Sequence, residues 1–195
     1  RDTVGGIVDD IRARGDAALF ELIARFDGVT LTPDRLFVTP AEFEKAREEV
    51  DTAFIAAVSQ AIQNIRSFHA YQRQHGYMHD DGDGVLLSKR VLPIRRVGVY
   101  CPGGTAPLFS TILMNVIPAQ VAGVPEIVVA TPPRKDGSIN PQILAACDML
   151  GVRTVCRMGG AQAIAALAYG TQTLPRVHKI VGPGNAYVAM AKRLV

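Results

Sequence analysis

Residues 154–169 read TVCRMGGAQAIAALAY, a β-branched segment that passes through a glycine pair into a helical stretch. Thr154–Cys156 has the composition of a short buried strand, and Ala161–Tyr169 has that of a helix. The same order of apolar segment, glycine-rich turn and helical stretch occurs at two other places in the second half of the chain. Such alternation indicates βαβ units, and therefore a parallel sheet with right-handed crossovers.

The pattern predicts the strands and helices of this sheet from Val85 onward. The predicted strands are Val97–Tyr100, Ile127–Ala130, Thr154–Cys156 and Lys179–Val181. The predicted helices span about 110–122, 141–150, 161–169 and 186 onward, and Pro118 is expected to kink the first of them. Because the strands are parallel, the loops that follow them lie at one carboxyl edge of the sheet.

Residues before this region have helical periodicity. Apolar positions predict two helices separated by Gly15, and Thr39–Glu42 has the sequence of a capping box at the start of a third. A further apolar stripe runs from Phe54 to about Tyr71. The polar, glycine-containing stretch from His75 to Gly84 is interpreted as a linker.

Composition excludes several classes of protein. The chain has 195 residues with 48% hydrophobic and 20% charged side chains, values typical of a globular protein with a real core. No apolar run approaches the ~18 residues that span a bilayer, and acidic residues near the start argue against a signal peptide. A net charge of +3 gives no indication of nucleic-acid binding. The three cysteines form no C-x-x-C pair, which predicts reduced thiols in the cytoplasm.

Glycine-rich loops follow three of the predicted strands. They are Pro102-Gly103-Gly104, Gly159-Gly160-Ala161-Gln162 and Gly182-Pro183-Gly184-Asn185. Glycines let backbone amides approach a ligand, and helix N-termini favour anions such as pyrophosphate. One such loop could be only a tight turn, but three at one edge favour a binding site. The G-x-G-x-x-G dinucleotide fingerprint and the lysine-containing P-loop are both absent.

Tyr100, Gln162 and Asn185 stand at these loops, one in each. A phenol and two amides suit neutral hydrogen bonds with ribose, amide or purine edges, and none of them is a good general base or nucleophile. Residue type and position suggest no part in the core for Asn185. We therefore expect this edge to bind and orient a ligand, with the reacting groups supplied from elsewhere.

Histidines near the polar stretch allow a second kind of site. His69, His75 and His79 could suggest zinc, but no cysteine lies near them, and the stretch is glycine-rich and acidic. A solvated linker is the favoured interpretation.

At the glycine loops the sequence resembles the histidinol dehydrogenase family. The resemblance lies in VGVYCPGGTAPLFST (97–111), GGAQAIAALAYG (159–170) and KIVGPGN (179–185), and it is dense from about Pro93 to Arg193. It is looser across the N-terminal helices, where 13–16 and Phe26-Asp27 also fit. Dehydrogenases of other small polyols, such as sulfopropanediol, look similar.

The resemblance implies a zinc- and NAD-dependent enzyme of histidine biosynthesis that oxidises L-histidinol to L-histidine through the aldehyde. It implies a cytoplasmic homodimer that binds a small-molecule substrate, with no nucleic-acid or membrane partner. The NAD-contacting Tyr, Gln and Asn of the family correspond to Tyr100, Gln162 and Asn185. The family's zinc ligands and its Glu-His acid/base pair correspond to positions beyond Val195, so neither catalytic nor metal-binding residues are expected in this chain.

Together these observations predict an α/β fold: an incomplete Rossmann-like parallel sheet with βαβ units, preceded by an N-terminal helical segment. We divide the chain into a helical segment (1–78), a linker and entry strand (79–92) and a Rossmann-like NAD-binding region (93–195). The chain begins at Arg1 and stops at Val195 inside a helical run, so we expect it to be part of a longer protein. The alternatives are a non-catalytic nucleotide-binding fragment, inactive alone, or a related zinc/NAD dehydrogenase.

Overall fold

The structure is a computed structural model that describes residues 2–103 and 108–195, and these residues form six strands, eight α-helices and one 3-10 helix (Pro33–Arg35). The helices are α1 (Asp2–Arg14), α2 (Asp16–Phe26), α3 (Pro40–Glu49), α4 (Thr52–Ala70), α5 (Phe109–Val121), α6 (Pro141–Met149), α7 (Gly160–Tyr169) and α8 (Ala186–Leu194). The strands are β1 (Tyr77–Asp80), β2 (Leu86–Lys89), β3 (Arg96–Tyr100), β4 (Glu126–Thr131), β5 (Thr154–Arg157) and β6 (Lys179–Val181). The predicted α/β class is confirmed.

The central sheet contains four parallel strands in the order β5-β4-β3-β6. In its middle row Val99 lies opposite both Val129 and Val181. The chain moves outward from β3 through β4 to β5, and then crosses back to place β6 on the other side of β3. The strand order therefore reverses between β3 and β6, and in open α/β sheets ligands bind outside the strand ends at this kind of reversal.

Helices cover both faces of the sheet. One core contains buried side chains of α1, α2, α7 and α8, and the other contains those of α3, α4, α5 and α6. Alternation along the strands divides their side chains between the two cores, so that Val99 faces the second and Tyr100 the first. The N-terminal helical segment is thus split, with one pair of helices on each face.

The stretch interpreted as a linker contains β1, the first strand of a hairpin. Strands β1 and β2 pair antiparallel, with Tyr77 opposite Lys89, and Gly82 and Gly84 have φ angles of 81° and 87° at the turn. All side chains of both strands are exposed. A hairpin without a buried face has no alternation of apolar and polar residues, and so its sequence resembles a loop.

Arg157, at the end of β5, fixes the N-terminal region to the sheet. Its guanidinium donates to the carbonyl oxygens of Arg35, Phe37 and Gly137 and forms an ion pair with Glu42. Glu42 also completes the predicted capping box with Thr39. Phe37 forms an antiparallel bridge with Cys156, which covers the outer edge of β5 just before the second glycine loop. This arrangement positions the start of α7.

No helix within 2–103 and 108–195 has both the length and the apolar character that a membrane span needs.

Candidate functional site

The loops that follow the parallel strands lie side by side at the carboxyl edge. A β-carbon on Gly103 would come within 2.4 Å of the Pro132 ring, and one on Gly159 within 2.7 Å of the same ring. Gly182 packs on the backbone of Tyr100, where a β-carbon would lie 2.1 Å from the carbonyl oxygen. These glycines therefore allow segments of the protein itself to pack closely against one another. Gly104, which belongs to the first predicted loop, lies outside the described residues.

Two backbone N–H groups at the start of α7 donate hydrogen bonds to side chains of the protein itself. The backbone N–H of Gly160 donates to the Tyr100 hydroxyl at 3.1 Å, and that of Gly159 donates to Asp27 Oδ2 at 3.3 Å. A carboxylate here complements the positive end of the helix dipole. The backbone amides of Gly159 and Gly160 therefore already have partners in the protein, and a carboxyl group lies beside them.

Gln162 is the second predicted ligand contact, and it lies at the same helix start. Gln162 is only 2% exposed, so it lies in the interior of the protein. The amide nitrogen donates to Asp27 Oδ2 at 3.3 Å. The amide oxygen lies over Gly160, where a β-carbon would be 2.7 Å from it. The structure thus brings Tyr100 and Gln162 together around Gly160.

Asn185 lies at the reversal of strand order, beyond the end of β6. It is exposed and is the N-cap of α8, where its Oδ1 accepts from the backbone N–H of Val188 at 3.0 Å. Lys192, on the same helix, donates to the carbonyl oxygen of Gly182. Among the described residues Asn185 forms no hydrogen bond with Tyr100 or Gln162, so it presents a separate polar group at this edge.

Asp27 lies at this candidate site, although in the sequence it stands out only through the Phe26-Asp27 part of the resemblance. It is the C-cap of α2, and Gly28 after it has a φ of 73°. An acidic residue before such a glycine is a common helix ending. Its hydrogen-bond partner Gly159 is 132 residues further along the chain, and no local pattern could indicate that contact.

Burial governs the ionisation of the two acidic side chains at the start of α7. Burial raises the pKa of Asp27, against the opposing effect of hydrogen bonds from Gly159 and Gln162. Burial also raises the pKa of Tyr100, and the nearby charge of Asp27 raises it further. The Tyr100 phenol is therefore protonated at neutral pH. Since its oxygen already accepts from Gly160, its own proton is free to be donated.

The thiols have no reactive character. Cys101, Cys147 and Cys156 are all free and buried. Burial raises the pKa of Cys101 to about 12 and raises that of the other two as well. Within the described residues no group of three or more His, Cys, Asp or Glu side chains could hold a metal ion.

A cavity of about 470 Å³ lies at the opposite, amino end of the sheet, far from the glycine loops. Arg96 and Glu126, which line it, pair with each other. Because its charges are already paired and no glycine loop reaches it, we place the candidate site at the carboxyl edge.

Comparison with known proteins shows one consistent likeness. A family model described as histidinol dehydrogenase matches residues 1–195. The histidinol dehydrogenase of Halalkalibacterium halodurans is 50% identical over 195 residues, which are 100% of this chain and 46% of that protein. The histidinol dehydrogenase of Bacillus subtilis is 49% identical over 195 residues, which are 100% of this chain and 45% of that protein. The chain therefore spans just under half the length of these relatives.

A solved structure gives the same result for the fold. The crystal structure of histidinol dehydrogenase from Elizabethkingia anophelis superposes with a TM-score of 0.92 at 39% sequence identity. The superposition covers 99% of this chain and 44% of that one.

Proposed function

Since the chain belongs to the histidinol dehydrogenase family, we propose that it is the N-terminal part of an NAD-dependent enzyme that oxidises L-histidinol to L-histidine. The oxidation would pass through the aldehyde, and NAD held at the carboxyl edge would supply the hydride acceptor. The support is a family match along the whole chain, together with relatives of the same name at 49–50% identity.

In this proposal the chain's own residues bind and orient NAD. The observation that supports this role is the convergence of Tyr100 and Gln162 at the start of α7, on the sheet edge where α/β proteins bind ligands. Tyr100 has a proton to donate, Gln162 has an amide oxygen, and the exposed Asn185 adds an amide group at the end of β6. These groups fit the neutral amide, purine and ribose parts of a dinucleotide. No residue of this chain is assigned a step in the proton transfers.

Zinc belongs to the same proposal, but its ligands are proposed to lie outside this chain. The described residues contain no group that fits the three or more ligands of a catalytic zinc. We therefore assign zinc no contact and no step here.

We also propose that the full-length protein is a cytoplasmic homodimer. Large apolar side chains remain exposed on α4 and on the hairpin, including Phe68 at 65% and Leu86 at 60%. Exposed apolar surface of this kind is typical of regions that other parts of a protein or a partner cover. The molar mass of the purified full-length protein, measured by light scattering, tests the dimer.

The decisive experiment is an assay of the full-length protein encoded by this reading frame. We expect NAD reduction with L-histidinol and with the intermediate aldehyde, and L-histidine as the product. Sulfopropanediol serves as the comparison substrate. Turnover of sulfopropanediol but not of histidinol would assign the protein to the related dehydrogenases, and NAD binding without turnover of either would leave only a nucleotide-binding function.

A further inference from the structure

The start of α7 holds a small hydrogen-bonded group whose orientation is determined by one carboxylate. Asp27 Oδ2 accepts from Gly159 N and from Gln162 Nε2, each at 3.3 Å. Tyr100 accepts from Gly160 N at 3.1 Å. Tyr100 and Gln162 are 4% and 2% exposed, so their positions are determined by packing as well as by these bonds.

The hydrogen bond with Asp27 determines the orientation of the Gln162 side-chain amide. An ionised carboxylate only accepts hydrogen bonds, whereas a primary amide has a donating nitrogen and an accepting oxygen. In the structure the amide nitrogen faces Asp27 Oδ2 at 3.3 Å, and the amide oxygen faces away from it. Gly160 leaves room for this orientation, because a β-carbon there would lie 2.7 Å from Gln162 Oε1.

The same group presents two complementary functions to a ligand. The Tyr100 hydroxyl accepts from Gly160 and keeps a proton to donate. Within the described residues nothing donates to Gln162 Oε1, which remains an acceptor. The Tyr100 proton and the Gln162 oxygen together complement a ligand edge on which an acceptor lies beside an N–H donor. In NAD, both the nicotinamide carboxamide and the amino edge of adenine have this chemistry.

Local charge favours a neutral group at this place. Asp27 puts a carboxylate at the helix start where a phosphate would otherwise bind. Burial raises the pKa of Asp27, while the two amide donors oppose that rise and stabilise its charged form.

From this geometry we infer that Asp27 is a positioning residue of the cofactor site, which holds Gln162 with its amide oxygen toward an amide-like edge of NAD. The inference rests on the function proposed above. Asp27 itself does not contact the cofactor and acts only through Gln162.

The test replaces Asp27 by Asn in the full-length protein. An asparagine can turn either its oxygen or its amino group toward Gln162, so that the Gln162 amide is no longer held in one orientation. We expect NAD to bind about tenfold more weakly, by calorimetry, and KM for NAD to rise more than kcat falls. The matched control is Asp34→Asn, the same chemical change at an exposed position, which should leave both values unchanged.

Two cofactor analogues show which edge is recognised. In 3-acetylpyridine adenine dinucleotide the carboxamide has lost its N–H groups, and in nicotinamide hypoxanthine dinucleotide the adenine edge is altered. The wild type should prefer NAD to one of these, and Asp27→Asn should reduce that preference. Gln162→Leu should reduce the same preference, and it gives a second route if the Asp27 variant does not fold.

The outcomes are separable. Suppose that the wild type oxidises histidinol and that Asp27→Asn binds NAD as tightly as Asp34→Asn does. This result would overturn the inference and leave the proposed function intact. An equal loss of affinity for NAD and both analogues would also overturn it, because the effect would then be unrelated to the amide orientation. A wild type that neither binds NAD nor oxidises histidinol would refute the proposed function, and the inference with it.

Discussion

Tyr100, Gln162 and Asn185 could be singled out from the sequence because residue type and loop position were enough to indicate them. Their hydrogen bonds could not be predicted in the same way. Gln162 is buried and Asn185 caps a helix, and both roles depend on neighbours that a loop position does not specify. Asp27 was missed for the same reason, since its partners Gly159 and Gln162 are distant in sequence.

Asn185 caps α8, and we propose that it also binds NAD; two substitutions distinguish these roles. Asn185→Ala removes the N-cap of α8 and should lower the free energy of unfolding by about 1 kcal/mol. It should also weaken NAD binding about 3- to 100-fold if the amide contacts the cofactor. Asn185→Asp keeps a capping oxygen but has no amide nitrogen. It should retain stability and still lose NAD affinity, as measured by urea unfolding and calorimetry.

Equal affinity for NAD in the wild type and Asn185→Asp would assign Asn185 to capping alone.

Gly182 gives a residue-scale prediction about stability. Its φ of 104° is unfavourable for other residues, and a β-carbon would lie 2.1 Å from the carbonyl oxygen of Tyr100, an atom that cannot rotate away. Gly182→Ala should therefore lower the free energy of unfolding by more than about 2 kcal/mol. Gly28→Ala is the control, since Gly28 has a φ of 73° and no atom within 4 Å of the added carbon. It should cost only about 1 kcal/mol.

If Gly182→Ala lowers the free energy of unfolding no more than Gly28→Ala does, the loop after β6 can move away from β3.

At the scale of elements, the strands and helices of the sheet match their predicted boundaries within one or two residues. The predicted Lys179–Val181 strand coincides with β6, and the predicted 141–150 helix with α6. Buried strands and amphipathic helices have strong periodicity, and glycines mark their ends. Within 79–92 the sequence predicted only an entry strand and not the pairing of β1 with β2, because the side chains of both strands are all exposed. Its formation depends on backbone pairing, which leaves no hydrophobic pattern.

Arg157 connects several elements, and its removal should show how strongly they are held. The side chain is 6% exposed and bonds three carbonyl oxygens as well as Glu42. Arg157→Met would leave those acceptors without their donor and should lower the free energy of unfolding by about 3 kcal/mol. Arg157→Lys cannot form all of these bonds at once, and should recover only part of the loss. Denaturant titrations of the three proteins give the comparison.

The ion pair between Glu42 and Arg157 makes the stability of the protein depend on pH. Burial raises its pKa, but the bonds from Arg157 and Thr39 outweigh burial and hold the pKa below its ordinary value. A lowered folded-state pKa gives stability that is present above the unfolded pKa and is lost as the pH falls through the folded pKa. Glu42→Gln should thus lower stability by about 1 kcal/mol at neutral pH, a value reduced for the 35% exposure of the side chain.

The difference between wild type and Glu42→Gln should shrink in acid, as measured by thermal unfolding between neutral and acid pH. A difference that stays constant with pH would indicate that the charge of Glu42 contributes nothing.

For the whole molecule, the parallel sheet could be predicted but the placement of the N-terminal helices could not. An amphipathic stripe shows which side of a helix is buried, but it does not identify the surface that covers it. The structure divides these helices between the two faces, with α1 and α2 beside α7 and with α3 and α4 beside α5 and α6. On α4 the apolar stripe is covered at Val58 but not at Phe68, which is 65% exposed.

The two cores share one sheet, so we expect them to unfold together. Each contains a buried thiol that can report on it: Cys156 belongs to the core with α7, and Cys147 to the core with α6. Burial raises the pKa of both thiols, so neither should react with a thiol reagent until its core opens. In rising denaturant, peptide-level mass spectrometry should find both cysteines labelled over the same concentration range. Labelling of Cys147 well before Cys156 would show that the face formed by α3–α6 opens on its own, because Cys147 would then be exposed to the reagent while Cys156 stayed buried.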